Sequence, residues 1–111
     1  MTYKQEYKEG YLLITLVGSL DSAGASDVET RFNALAGYNV EKVIVDMTKV
    51  DFISSVGMGL LLNHAKNLAK VGHSMKFFGL QNKVRQVLET AGILKMLEVR
   101  KDLADCIASF K

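Results

Sequence analysis

The chain has 111 residues, of which 49% are apolar and 23% charged, and its formal net charge is +2. That composition is long enough and apolar enough to bury one core without a disulfide or a structural metal, so a single domain over residues 1–111 is expected. So small a charge, spread evenly and with no Lys/Arg cluster interleaved with aromatics, argues against a nucleic-acid or membrane surface.

The N-terminus, MTYKQEYKEG, is polar and lacks the apolar centre of a signal peptide. Residues 2 to 8 are β-permissive, and Glu9-Gly10 marks a turn. Tyr11 to Val17 is nearly continuous in β-forming apolar residues, so it reads as a buried strand paired as a hairpin with the first segment. Gly18 should end it, and Leu20-Asp21-Ser22 should open a loop.

A helix is expected next. Ser26 and Glu29 have the spacing of a capping box, although the start could lie two or three residues earlier. Val28, Phe32 and Leu35 form its apolar stripe, and Gly37 is a natural stop. Val43-Ile44-Val45 is a short β-branched run, as in a central strand covered on both faces.

Residues 52–60 read F-I-S-S-V-G-M-G-L, and a helical pattern of Met58, Leu61, Leu62, Ala65, Leu68 and Ala69 follows to Gly72. Met75 to Phe78 reads as a strand. Asn82 is positioned to cap a third helix carrying Val84, Val87, Leu88 and Ala91, which Gly92 ends. Leu97 to Val99 suits an edge strand. Asp102 is positioned to cap a last helix with Leu103, Ile107 and Phe110 on one face. The order β-β-α-β-α-β-α-β-α predicts an α/β fold: a small mixed sheet, with an N-terminal hairpin and then mostly parallel strands, and about four helices.

Cys106 is the only cysteine, so an intrachain disulfide is impossible and a reducing compartment is favoured. It reads as a small core residue, since no base or cation is placed to activate it. His64 and His73 are the only histidines, and no Cys/His metal cluster can be assembled from so few residues. No metal or other cofactor is expected. No apolar stretch approaches membrane-spanning length, so a cytoplasmic protein without membrane insertion is expected.

The adjacent hydroxyls of Ser54 and Ser55 stand at a β-to-α junction, on the edge of the sheet where α/β proteins place function. Serine is a preferred N-cap, so capping is the plain explanation. Enzymatic explanations fail. A nucleophile elbow needs glycine two residues before the serine, where Ser55 has Ile53. His64 lies nine residues on, more than two turns along the same helix, and out of reach as a base. It reads as a surface or partly packed helix residue, and His73 as a turn residue. Gly57-Met58-Gly59 lacks both the third glycine of a dinucleotide loop and the Gly-Lys-Ser/Thr ending of a phosphate loop. Close packing of the helix start on the sheet explains these glycines as well. What the position does offer is the positive end of a helix, where a phosphate on Ser55 is tolerable without refolding.

With these elements in place the chain resembles the STAS domains of the anti-sigma-factor antagonist family, from about Tyr3 to Phe110. The resemblance is carried by Gly18-Ser19-Leu20-Asp21, by Val43-Ile44-Val45-Asp46 and by Val50 through Gly59. Leu80-Gln81-Asn82-Lys83-Val84 and Thr90-Ala91-Gly92-Ile93 add to it. It implies a protein without catalysis that binds an anti-sigma factor, itself a serine kinase, and frees a sigma factor. The kinase switches it off by phosphorylation and a PP2C-type phosphatase restores it.

In the family pattern D-S-[ST]-G the acceptor follows the aspartate. The aspartate position is Ser54 here, so the acceptor maps to Ser55, with Ser54 as second choice. Val56 takes the following hydroxyl position and Gly57 the glycine. Asp21 matches an acidic residue near the acceptor. The implied partner surface comprises Asp21, Ser22, Ser54, Ser55, Val56, Gly57 and Met58. A different implied use of the same fold is as a small subunit bracing the ATPase of a lipid-transporting ABC system, or as part of a larger signalling scaffold.

Overall fold

The computed structural model describes residues 1–35 and 41–110. Five strands, β1 (Thr2–Lys8), β2 (Tyr11–Leu20), β3 (Lys42–Ile53), β4 (Ser74–Phe78) and β5 (Glu98–Arg100), form one sheet in sequential order. β1 and β2 are an antiparallel hairpin turning at Gly10, whose φ of 92° suits glycine. Every later pairing is parallel. The helices are α1 (Ser22–Leu35), α2 (Ser55–Lys70), α3 (Asn82–Thr90) and α4 (Leu103–Ser109), and a 3-10 turn at Leu94–Met96 precedes β5. The expected mixed sheet and four helices are therefore present, and Gly37 lies outside the described residues.

Strand alternation divides the sheet into two faces. Leu12, Ile14, Val43, Val45, Met75 and Phe77 enter the main core with Val28 and Phe32 of α1, Leu61 and Leu68 of α2, and Val84 and Leu88 of α3. Burying a side chain such as Phe32 or Phe77 contributes about 1.5–3 kcal/mol, so this core is the main source of stability. The registers Leu13↔Ile44 and Ile44↔Lys76 set the opposite face, which α4 covers in part. There the buried Lys76 amine donates to the Ser109 carbonyl (3.3 Å) and hydroxyl (2.7 Å), pairs with Glu98, and sits 4.6 Å from the Phe110 ring centroid. Cys106 is fully buried beside the Phe77 carbonyl, the core role expected of it. Burial pushes its thiol up to about 11.

β3 is far longer than the run Val43–Val45 suggests. Its pairing with β2 shifts between Thr15 and Val17 and again between Gly18 and Ser19, where Asp51 is the unpaired extra residue. The inward residues are accordingly Val43, Val45 and Met47, then Val50, then Ile53. At the first irregularity the Asp46 carboxylate accepts from the backbone N–H and the hydroxyl of Thr48 (2.9 and 2.7 Å). The second leaves Phe52 half exposed.

Three local expectations are corrected. β2 runs through Gly18 to Leu20, and the loop shrinks to Asp21. α1 begins at Ser22, so Ser26 and Glu29 lie inside it and form no capping box. Asp21 is the cap: its carboxylate accepts from Gly24 N–H at 2.8 Å and its carbonyl from Ala25 N–H at 2.8 Å. The earlier start is possible because Gly24 lets the helix press on β2, where a Cβ would meet the Ser19 carbonyl oxygen at 2.1 Å. In α3, Asn82 is the first helical residue and Gln81 holds the cap position without a capping side chain. The Gln81 amide instead donates to the Thr48 carbonyl at 2.9 Å. Asp102 caps α4 as expected, accepting from Asp105 N–H at 2.8 Å.

Candidate functional site

The last paired residues of β2 and β3 are Leu20 and Ile53, so Asp21 and Ser54 emerge side by side at the carboxyl edge of the sheet. Each caps the helix that follows, and the starts of α1 and α2 are drawn together there. Ser54 N–H donates to the Leu20 carbonyl at 3.0 Å, and Ser54 Oγ donates to the same oxygen at 3.3 Å. Ser54 Oγ also accepts from Gly57 N–H at 3.2 Å. Gly57 is buried against β2, and a Cβ there would stand 2.2 Å from the Leu20 oxygen, so only glycine fits.

The two serines are thus unequal. Ser54 is half-buried with its hydroxyl engaged as donor and acceptor. Ser55, the first residue of α2, is exposed, and its side chain makes no hydrogen bond among the described residues. Beside it Val56 is 54% exposed. Ser22 is exposed at the start of α1.

Two of the residues expected to meet a partner are buried. Gly57 is buried under the cap. Met58 is 7% exposed and lines an open apolar depression with Val87 and Thr90 of α3 and with Ala91, the residue that follows it. Sequence reasoning missed Phe52 as an outward residue, and missed the bond from Ser19 Oγ to Asp51 Oδ1 (3.0 Å) beside it. The signal was present in an aromatic one residue from an inward isoleucine, but only the bulge tells which of the two faces out.

His64 does not act on Ser55. It is buried, and its ring stands edge-on to Phe32, with centroids 5.2 Å apart and planes at 88°. Burial lowers its pKa, and the Glu29 carboxylate opposes that shift more weakly. Among the described residues, no group of three or more His, Cys, Asp or Glu could hold a metal ion, and no helix is long and apolar enough to cross a membrane.

A family model described as the STAS domain matches residues 3–106. The putative anti-sigma factor antagonist BtrV of Bordetella bronchiseptica is 31% identical over 103 residues, covering 93% of this chain and 89% of that protein. An anti-sigma factor antagonist from Mycobacterium paratuberculosis superposes with a TM-score of 0.87 at 20% identity, over 97% of this chain and 92% of the other. The Bacillus cell fate determinant SpoIIAA in its phosphorylated form superposes with a TM-score of 0.72 at 19% identity, over 99% of this chain and all of the other.

Proposed function

The chain belongs to the STAS domain family, among the anti-sigma factor antagonists, and we propose that Ser55 is the residue through which it is switched. Members of this family are binding modules and not enzymes. In its unmodified form the protein binds an anti-sigma factor that is also a serine kinase, and so frees a sigma factor. The kinase transfers the γ-phosphoryl group of ATP to Ser55 Oγ. The bond to the ADP oxygen breaks, the bond to Oγ forms, and the hydroxyl proton passes to a base on the kinase. A PP2C-type phosphatase reverses the modification.

The observation that carries the proposal is the contrast between the two hydroxyls. Only that of Ser55 is both exposed and free of internal bonds. A phosphate there sits at the positive end of the sixteen-residue α2, where the fold tolerates it, and adds about −1.5 to −2 of charge to the surface. Val56 beside it, and Phe52 three residues before it in the chain, are half exposed, and a dianion on a surface with apolar contacts of that kind opposes docking by desolvation. Asp21, fixed by its cap, and Ser22 complete the contact surface, and Met58 contributes through the depression beside α3.

The test is a titration of the kinase partner with unmodified protein, with Ser55→Ala and with Ser55→Glu. The unmodified protein and Ser55→Ala should bind equally, and Ser55→Glu should bind at least tenfold more weakly, a loss of about 1.4 kcal/mol. Equal affinity of all three, or no binding by any, would overturn the proposal.

A further inference from the structure

Between α1 and α2 runs an open cleft of about 410 Å³ that begins beside Ser55. Packed neighbouring helices normally face each other with apolar stripes. Here the upper rim of α1 is Ser22, Ser26, Glu29 and Asn33, at successive one-turn steps, and that of α2 carries Asn63 and Asn67. None of these six side chains makes a hydrogen bond or an ion pair among the described residues. All six are exposed, so their hydrogen-bonding capacity is open to solvent along the two sides of the cleft. The buried His64 ring forms part of the floor.

Gly59 also lines this cleft. Glycine inside a helix is destabilising relative to alanine. At Gly57 the packing demands it, but at Gly59 an added Cβ would meet nothing within 4 Å. Packing within the protein therefore gives no reason for Gly59. A bare stretch of helix does suit the close approach of another main chain.

We propose that this cleft seats an extended segment of the kinase partner, which presents its main chain to the asparagines and sets a basic side chain against Glu29. The proposal rests on the partner named above. Carboxamides offer both donor and acceptor, as peptide groups do, so Asn33, Asn63 and Asn67 can pair with a backbone whatever its side chains. From Ser22 to Asn33 α1 rises about 16 Å, at about 1.5 Å per residue, which matches about five residues of extended chain. Glu29 is the one formal charge in the cleft lining and forms no ion pair among the described residues, so a lysine or arginine complements it. The cleft is continuous with the Ser55 surface through Ser22 and Val56, so one partner can span both.

Affinity for the kinase is measured for Gly59→Ala and for Asn63→Ala/Asn67→Ala, with Ser55→Glu alongside. Gly59→Ala should raise the melting temperature yet weaken binding about tenfold or more, and the double asparagine variant should weaken it about tenfold with its melting temperature unchanged. A photo-crosslinking benzoylphenylalanine placed at position 63 should join a contiguous non-helical stretch of the kinase. If both cleft variants bind as the unmodified protein does while Ser55→Glu is weakened, the cleft proposal falls and the switch at Ser55 stands. If Ser55→Glu binds unchanged as well, both fall. Crosslinks confined to a helix of the kinase also overturn the extended segment.

Discussion

Ser54 and Leu20 are joined twice, by the serine N–H at 3.0 Å and by its hydroxyl at 3.3 Å, both directed to the Leu20 carbonyl. With the bond that Ser54 Oγ accepts from Gly57, this makes Ser54 the tie between two strands and a helix start. The neighbouring Ser55 has no part in that tie.

Replacing the two serines should therefore have opposite consequences. Ser54→Ala loses a cap and should lower stability by about 1 kcal/mol, while leaving Ser55 open to the kinase. Ser55→Ala should leave the unfolding free energy within about 0.5 kcal/mol of the unmodified protein, as expected at an exposed position. Urea titrations of both variants measure this, and a larger loss for Ser55→Ala would contradict the division of roles.

Gly57→Ala should be severe. The added methyl group would stand 2.2 Å from the Leu20 oxygen and 2.9 Å from Leu20 Cγ, so the helix must move off the strand. A cost of about 1–3 kcal/mol is expected, with loss of kinase binding because Ser55 moves with the helix. Thermal unfolding followed by circular dichroism checks it. A variant as stable as the parent would show that the close approach of α2 to β2 is dispensable.

Cys106 should be chemically silent in the folded protein. Its thiol is fully buried, and its pKa is pushed up to about 11, so thiolate is scarce at neutral pH. Ellman's reagent should label it only on unfolding, at the unfolding rate. Rapid stoichiometric labelling under native conditions would contradict the packing of α4.

The depressed His64 pKa fixes a direction for pH dependence. The ordinary histidine value is 6.5, and burial holds the folded ring neutral below that, against the weaker pull of Glu29. Between the folded pKa and 6.5 the unfolded chain binds more protons. Stability is therefore fully present above 6.5 and is lost as pH falls through the folded pKa. Melting temperatures from about pH 8 to about pH 5 should fall more steeply for the unmodified protein than for His64→Leu. Parallel curves would contradict this role for His64.

The order of strands and helices was legible because most elements obey a regular period. Leu12, Ile14 and Leu16 point inward along the predicted strand, and Val84 and Leu88 do so along α3. What escaped prediction lies where the period breaks. Two irregularities in β3 switch its inward set from Met47 to Val50 and then to Ile53, so the short run Val43–Val45 understates a strand that continues to Ile53. The capping box at Ser26 failed for a related reason. Local spacing cannot report that Gly24 lets α1 press against Ser19, and this contact makes the earlier start possible. The candidate acceptor was legible from its neighbours in sequence. The inequality of the two serines was not, because it depends on Leu20, thirty-four positions before Ser54.

The most direct measurement is the mapping of phosphate by mass spectrometry after incubation with ATP and the active partner kinase. The account predicts one phosphate on Ser55, none on Ser54, and none anywhere on Ser55→Ala. Phosphate on Ser54 in place of Ser55, or on neither serine, would contradict it.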